Sequence, residues 1–200
     1  MPITRGSAVR CQSTVRSRLA PLTSQELHSK EGPSAWFTNY ASWIAPGACV
    51  LDVACGNGRH SRLFAERGAS VTAVDRDGAS LQSLAATPRV ITECRDLEGE
   101  AWPYPAASFD AVLVCNYLWR PAFASMLGTI KPGGMLLYET FMDGNERYGK
   151  PSRSDFLLRS NELLALTREC FRVVGYVEGE VLDTEGQPFA VKQKIAAIKH

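Results

Sequence analysis

Short apolar runs alternate with helix-like segments over most of this 200-residue chain. The runs typical of strands are residues 49–53, 70–74, 90–94, 109–115 and 135–141. The run 109–115 is almost wholly apolar, as expected for a strand that is buried on both faces of a parallel sheet. Because parallel strands are joined by right-handed crossovers, the alternation predicts an α/β fold, a single three-layer sandwich.

Helical spacing and turn residues complete this prediction. The predicted helices cover residues 34–44, 59–67, 78–86, 121–130 and 161–169. Residues 143–158 are polar and irregular. Two further strands, 171–177 and 189–198, are joined by a short turn near residues 184–186. We therefore expect a seven-stranded, mostly parallel sheet with an antiparallel pair at one edge.

The length of the chain suits one domain, and its apolar and charged fractions of 45% and 22% are close to the globular average. Residues 1–25 differ, because they carry four arginines and no acid. Such a segment resembles an organellar transit peptide, but its sparse apolar residues lack helical spacing. We expect residues 1–25 to form a flexible tail and residues 26–200 to form the domain.

The charge balance excludes some partners. After residue 25, 18 basic and 21 acidic side chains leave a formal charge of −3, which argues against a nucleic-acid partner. No apolar stretch approaches the 18 residues of a membrane span. The six cysteines have neither zinc spacing nor a secreted disulfide pattern, so we expect no metal, a reducing compartment and a cytoplasmic location. The oligomeric state stays open.

Residues 50–60, Val-Leu-Asp-Val-Ala-Cys-Gly-Asn-Gly-Arg-His, carry the most informative pattern, because a strand runs into two glycines and then a helix. Gly56 and Gly58 permit a tight turn and the close approach of a ligand. The helix start behind them offers N–H groups that favour a carboxylate. An unpaired carboxylate in a buried strand is costly, so we expect Asp52 to accept hydrogen bonds from the glycine turn and to face a cationic amino group.

A second acid, Asp75, ends the next strand, 19 residues after Gly56. In dinucleotide-binding folds an acid at about this distance binds the ribose hydroxyls. Asp75 is alternatively the N-cap of the following helix, or serves both purposes. The third glycine of the dinucleotide fingerprint is Ser61 here, which argues against a nicotinamide-dependent dehydrogenase.

The pattern resembles motif I of the class I, Rossmann-like S-adenosylmethionine-dependent methyltransferases, and the resemblance extends from about Cys49 to Phe141. The Cys-Gly-Asn-Gly-Arg run at residues 55–59 is similar to that of small-molecule enzymes of the tellurite-resistance type. The resemblance implies a Rossmann-like fold, S-adenosylmethionine as methyl donor, S-adenosylhomocysteine as product, and methyl transfer to a small molecule.

The resemblance also implies a cofactor site at the ends of four strands. Its residues are Asp52, Ala54, Gly56 and Gly58 in the first turn, Asp75 at the ribose, Arg76, Asp96 and Leu97 at the adenine, and Cys115 and Asn116 where donor and acceptor meet. Arg76 departs from the family, in which an apolar residue at this position packs on adenine. Its guanidinium either stacks on the ring or points to solvent.

The acceptor has no obvious signature, and no catalytic base follows the fourth strand. His60 is a candidate base, or merely lines the cofactor site. The candidate acceptor contacts are Tyr117, Arg120, Glu139, Arg147 and Arg153. Several of them lie on the long polar connection after the fifth strand, where loops of such sheets carry function, although a solvated loop is the alternative.

Two functional alternatives remain: a non-catalytic protein that binds S-adenosylmethionine, and a methyltransferase acting on protein or RNA. Base-directed amino methylation in this superfamily uses an Asn/Asp-Pro-Pro-aromatic run after the fourth strand, where this chain has Asn-Tyr-Leu-Trp at 116–119. Cytosine-5 methylation needs a Pro-Cys pair, whereas Cys115 follows Val114. Both absences argue against modification of a nucleic-acid base.

Overall fold

A computed structural model describes residues 32–99 and 101–200. The strands are β1 Cys49–Val53, β2 Ser70–Asp75, β3 Val90–Cys94, β4 Phe109–Cys115, β5 Ile130–Phe141, β6 Phe171–Leu182 and β7 Pro188–Lys199. The α-helices are α1 Ala35–Tyr40, α2 Arg59–Glu66, α3 Gly78–Gln82, α4 Phe123–Gly128 and α5 Glu162–Thr167. Short 3₁₀ helices lie at Ala41–Trp43, Arg120–Ala122, Asn145–Arg147 and Ser154–Phe156. The expected tail at residues 1–25 lies outside the described residues.

The seven strands form one sheet in the order β3-β2-β1-β4-β5-β7-β6. Strands β1 to β5 pair in parallel, and β7 pairs antiparallel with both β5 and β6. The predicted Rossmann-like fold, mostly parallel with an antiparallel pair at one edge, is confirmed. The strand order reverses between β1 and β4, and in open α/β sheets the crevice at such a reversal, at the carboxyl ends of the strands, binds ligands.

Apolar side chains cover both faces of the sheet. On one face, the fully buried Leu51, Val112 and Leu136 belong to a cluster that also holds residues of α4 and α5. On the other face, Val50 and Leu113 pack with the buried Phe37 of α1 and Phe64 of α2. These residues alternate along β1 and β4, so both strands are buried on two sides, as the apolar runs predicted.

Several predicted boundaries need correction. The segment Pro132-Gly133-Gly134, which precedes the predicted strand at 135–141, belongs to β5, whose pairing with β4 is irregular between Phe109 and Ala111. A Cβ on Gly134 would lie 2.9 Å from two carbonyl oxygens, so this close passage of backbone requires glycine. Helix α3 ends at Gln82, and the segment predicted as one helix at 121–130 divides into a 3₁₀ turn and α4.

The connection after β5 is polar and irregular, as expected, but it is anchored to the sheet. Leu158 donates its N–H to the carbonyl of Phe141, and Asp143 donates its N–H to the carbonyl of Leu158. Leu157 and Leu158 are buried beneath it. In the described part of the chain, no helix is long and apolar enough to cross a membrane.

Candidate active site

A cleft of about 1220 Å³ opens at the carboxyl ends of the parallel strands, at the reversal of strand order between β1 and β4. Its described lining residues form two groups. The glycine end comprises Asp52, Ala54, Cys55, Gly56, Asn57, Arg59, His60, Arg76 and Ser80. The loop end comprises Cys115, Asn116, Phe141, Gly149, Lys150, Pro151, Ser152, Arg153 and Phe156. Each end of the cleft is formed by the carboxyl ends of strands and by the loops that follow them.

The two glycines of the turn serve different purposes. Gly56 has φ of 56° and Gly58 has φ of 75°, a region that side chains rarely adopt. A Cβ on Gly58 would lie 2.2 Å from the side chain of Leu84, so packing requires glycine there. A Cβ on Gly56 would meet nothing within 4 Å. The space beside Gly56 is therefore open to a ligand.

Asp52 lies at the base of the cleft and is only 1% exposed. Its Oδ2 accepts a 2.6 Å hydrogen bond from the Ser61 hydroxyl, which is also buried. Burial raises the pKa of Asp52 to about 7, although the hydrogen bonds from Ser61 lower it. The expected partner, the glycine turn, is thus replaced by Ser61, because the first turn of α2 places that hydroxyl beside the carboxylate.

Asp75 ties the glycine turn to the end of β2. Its Oδ2 accepts from the Gly56 N–H at 2.8 Å, and its Oδ1 accepts from the Asp77 N–H at 2.9 Å. The N-cap of α3 is Asp77, whose side chain accepts from the Ala79 N–H, so the capping alternative for Asp75 is wrong. Asp75 instead holds the turn in the shape that leaves the space beside Gly56 open.

Two of the three residues expected at the adenine lie outside the cleft wall. Arg76 lines the cleft, whereas Asp96 and Leu97 do not. Asp96 accepts from the Glu98 N–H at 2.9 Å, and Leu97 is buried in the core. They nevertheless belong to the loop that follows β3, which runs beside β2 at this edge of the cleft.

Two cationic side chains hold the residues at the end of β4. Cys115 and Asn116 both line the cleft, and Asn116 has a left-handed φ of 56°. Arg59 donates to the Cys115 sulfur at 3.3 Å, and Lys192 donates to the Asn116 Oδ1 at 2.8 Å. These contacts explain how a strained backbone is held at the junction of the two ends of the cleft.

Glu139, a predicted acceptor contact, is buried and fully engaged. Lys192 donates to its Oε1 at 3.0 Å and the Ser34 hydroxyl donates to its Oε2 at 2.6 Å, while Lys194 lies 3.8 Å away. Burial alone would raise the pKa of Glu139, but the two lysines and Ser34 outweigh it and lower the pKa to about 2. Glu139 is absent from the described cleft wall, where its role as an acceptor contact stays a prediction, and the structure shows it as a partner for Lys192.

His60 lines the cleft but is poorly placed to act as a base. Its Nε2 accepts from the Ser34 N–H at 3.2 Å, and its ring stacks on Phe37 with centroids 4.1 Å apart. Burial lowers the pKa of His60 to about 3, assisted by the charge of Arg59. The structure supports the alternative interpretation, in which His60 merely lines the site.

Two further predicted acceptor residues lie elsewhere. Arg120 forms a two-pronged ion pair with Glu162, at 2.6 and 2.9 Å, and donates to the carbonyls of Asp155 and Leu157. Arg147 is largely exposed and lies 3.5 Å from Glu180. Neither residue lines the cleft. Carboxylates far away in sequence bind these guanidinium groups, and the two acceptor assignments stay predictions.

Tyr117 and Arg153 complete the predicted set. The Tyr117 hydroxyl is buried without a hydrogen-bond partner among the described residues and lies outside the cleft wall. Burial raises its pKa, with Glu98 and Asp96 contributing. Arg153 does line the cleft, and it is an exposed cation 2.8 Å from Asp155 and 5.4 Å from the ring centroid of Phe156.

The sequence did not reveal how the wall at residues 149–153 is held. The buried Asn145 donates from Nδ2 to the Pro151 carbonyl at 2.9 Å and accepts at Oδ1 from the Val191 N–H at 3.0 Å. One amide side chain therefore joins this wall to β7. The loop end is therefore anchored to the sheet, although residues 149, 150 and 152–156 are exposed to solvent, and the polar pattern at 143–158 gave only its position.

Comparison with known proteins gives one family and several relatives. Residues 50–134 match the family described as a methyltransferase domain. Over 108 residues the chain is 36% identical to malonyl-[acyl-carrier protein] O-methyltransferase of Salmonella typhimurium, a match that covers 49% of this chain and 41% of that protein. The chain spans about half the length of the curated relatives it matches.

Solved structures share the fold at low identity. TehB of Haemophilus influenzae superposes with a TM-score of 0.67 at 23% identity, over 82% of this chain and 61% of that one. The 1,6-didemethyltoxoflavin-N1-methyltransferase of Burkholderia thailandensis was solved with bound 1,6-didemethyltoxoflavin and S-adenosylhomocysteine. It superposes with a TM-score of 0.60 at 21% identity, over 88% and 81% of the two chains. These likenesses establish the fold.

Proposed function

We propose that this chain, which belongs to the class I S-adenosylmethionine-dependent methyltransferases through the methyltransferase domain at residues 50–134, transfers a methyl group to a small-molecule acceptor. The observation that carries the proposal is the glycine end of the cleft. There an open space beside Gly56 lies next to a buried carboxyl group, Asp52, and a turn held by Asp75. S-adenosylmethionine supplies an activated methyl group on a sulfonium.

The residues at the glycine end suit this cofactor chemically. Asp52 offers a carboxylate to a cationic amino group, and the turn from Ala54 to Gly58 leaves room for a ligand in the open space beside Gly56. Asp75 offers carboxylate oxygens for ribose hydroxyls while it holds the Gly56 N–H. The buried, unpartnered hydroxyl of Tyr117 lies within electrostatic reach of Asp75, Asp96 and Arg76, the proposed adenosine side.

The remaining cofactor assignments are part of the same proposal. Arg76 covers the adenine from the cleft wall, while Asp96 and Leu97 contact its edge from the loop after β3. Cys115 and Asn116 mark the point where donor and acceptor meet. Because methyl transfer is an in-line displacement, the contribution of the chain is alignment of the reactants and exclusion of water.

The loop end of the cleft receives the acceptor. Its wall is anchored by Asn145 and presents Arg153 and Lys150. The name of one curated relative gives a malonyl group on an acyl-carrier protein as the acceptor, and methyl transfer to such a small group supports an acceptor moiety of limited size. A nucleic-acid acceptor is disfavoured by the acidic balance beyond residue 25. Free thiols at all described cysteines support the cytoplasmic location that we propose.

Calorimetry with S-adenosylmethionine, S-adenosylhomocysteine and NAD tests cofactor choice. We expect heat with the first two ligands and none with NAD. Release of S-adenosylhomocysteine in the presence of a panel of small thiols, amines, carboxylates, phenols and chalcogen oxyanions then separates an enzyme from a non-catalytic binding protein. Binding of NAD alone contradicts the proposal, and cofactor binding with no turnover of any acceptor favours the non-catalytic alternative.

A further inference from the structure

Cationic side chains outnumber acidic ones among the described residues that line the cleft. The described lining residues include four permanent cations, Arg59, Arg76, Lys150 and Arg153, and one carboxylic acid, Asp52. Asp52 is buried against Ser61 at the glycine end, so its charge does not offset those of Lys150 and Arg153 at the loop end. Arg153 is paired only with Asp155, through an exposed ion pair, which costs little to exchange for a ligand. The loop end therefore favours an anion.

The same end carries flat apolar surface. The Phe156 ring is 40% exposed and lies under the Arg153 guanidinium, with 5.4 Å between the carbon of that group and the ring centroid. The Phe141 ring lines the cleft as well and has the Lys192 ammonium 4.7 Å from its centroid. Aromatic side chains beside fixed cations suit an acceptor with a flat ring and a negative charge.

The described lining residues offer no side chain poised to remove a proton from the acceptor. The Nε2 of His60 already accepts the Ser34 N–H, and Glu139 is buried outside the wall in contact with two lysines and Ser34. The Asp52 carboxyl is bound to Ser61 at the other end. A nucleophilic atom that carries no proton to be removed suits these lining residues, and an oxyanion is such a nucleophile that the cations also favour.

We infer that the acceptor is an aryl oxyanion, a phenolate or an aryl carboxylate, whose ring lies against Phe156 and Phe141 and whose charge is met by Arg153 and Lys150. This inference rests on the proposed function. The oxyanion forms the new oxygen–carbon bond as the sulfur–carbon bond breaks, and that electron pair stays on sulfur. The products are an aryl methyl ether or ester and neutral S-adenosylhomocysteine, and no proton is released.

The test uses the full chain saturated with S-adenosylhomocysteine. Benzoate and 4-nitrophenolate are titrated by calorimetry, with benzamide as the neutral match and cyclohexanecarboxylate as the non-planar anion. We expect both aryl anions to bind at least about tenfold more tightly than either control, as one charge-assisted contact or one stacked ring would give. Turnover is followed as loss of the yellow 4-nitrophenolate colour in the presence of S-adenosylmethionine.

Variants of exposed residues separate the contacts without endangering the fold. Arg153→Ala should weaken benzoate binding about tenfold and leave the affinity for S-adenosylhomocysteine unchanged. Phe156→Ala should remove the preference for benzoate over cyclohexanecarboxylate. Arg147→Ala is the matched control, because Arg147 carries the same charge on the same connection but lies outside the cleft.

Equal binding of benzamide and benzoate, or equal losses in Arg153→Ala and Arg147→Ala, would overturn the inference alone. So would turnover confined to neutral or cationic acceptors. A chain that binds neither S-adenosylmethionine nor S-adenosylhomocysteine would overturn the proposed function and the inference with it.

Discussion

Asp52 carries a carboxyl group whose ionisation opposes folding and favours the proposed cofactor. Burial raises its pKa from the ordinary 3.8 to about 7. Since the folded state holds the proton more tightly than the unfolded state, the contribution of this group to stability is full below about pH 4 and is lost as pH rises to about 7. A ligand with a cationic amino group binds the ionised form.

We predict that the affinity for S-adenosylhomocysteine rises about tenfold per pH unit below about pH 7 and then levels off. Asp52→Asn should bind at least about tenfold more weakly above that pH, with a flat profile, because it has no charge to gain. Calorimetry across the pH range measures both. A profile in Asp52→Asn with the same slope as in the natural chain would refute this assignment.

Asp75 serves the fold as well as the proposed ligand. Its two oxygens hold the backbone N–H groups of Gly56 and Asp77. We predict that Asp75→Ala loses on the order of 2–4 kcal/mol of affinity for S-adenosylhomocysteine and about 1–3 kcal/mol of stability. Asp77→Ala is the control, because it removes the α3 cap and lowers stability without touching the ribose site. Calorimetry and urea unfolding give the two quantities, and equal losses of affinity in both variants would contradict the ribose assignment.

The strands and the helices differ in how far local sequence determines them. Strands β1, β3 and β4 have the predicted boundaries. In β1 and β4 the reason is that runs such as Val50–Val53 are buried between two helical layers, whereas β3 is a half-exposed strand at the edge of the sheet. The helix boundaries were less accurate. At Gln82 and at Phe123 the ends depend on how the segment meets its neighbours, which spacing in a short helix does not determine.

The candidate site shows the same division. The glycine turn, Asp52 and Asp75 could be identified from the sequence, because these residues are close together or separated by a fixed spacing. Lys192 could not be identified from the sequence, because Lys192 and Lys194 alternate with uncharged neighbours, a pattern typical of a solvent-exposed strand. The groups that bury Lys192, on Glu139 and Asn116, are 53 and 76 residues away. Pairings over such distances are a property of the assembled sheet.

The pairing of β5 with β7 therefore depends on a buried charge. We predict that Lys192→Met costs about 3–5 kcal/mol of stability, because it leaves Glu139 buried with only Lys194 and Ser34. Lys194→Met should cost clearly less, since Lys194 is more exposed and more distant. Urea unfolding compares them, and equal costs would show that Lys192 is not the principal partner of Glu139.

The ion pair between Lys192 and Glu139 should also affect stability at acid pH. The pKa of Glu139 is lowered in the folded chain to about 2 from 4.5, so its contribution to stability is present above about pH 4.5 and is lost as pH falls toward 2. In Lys192→Met, the free energy of unfolding should change much less as the pH falls from about 4.5 toward 2.

At the scale of the whole molecule, the proposed ligand site and the fold involve the same sheet. The resemblance to class I methyltransferases, which residues from about Cys49 to Phe141 carry, overlaps the match to the methyltransferase-domain family at residues 50–134. The proposed cofactor residues lie at the ends of β1, β2, β3 and β4, adjacent strands of one continuous sheet. A ligand that bridges these ends should therefore stabilise the whole sheet and not a local segment.

We predict that S-adenosylhomocysteine at about one hundred times its dissociation constant adds about 2.7 kcal/mol to the free energy of unfolding. For a domain of this size the increase corresponds to a rise in Tm of roughly 5–11 °C. Tryptophan fluorescence and circular dichroism should report one coincident transition that moves as a unit, because the strands that carry the site share one core. NAD at the same concentration should leave Tm unchanged, and Asp75→Ala should reduce the shift in proportion to its lost affinity. An equal shift with NAD, or a shift seen by only one of the two probes, would show that the ligand does not bridge the strand ends of this sheet.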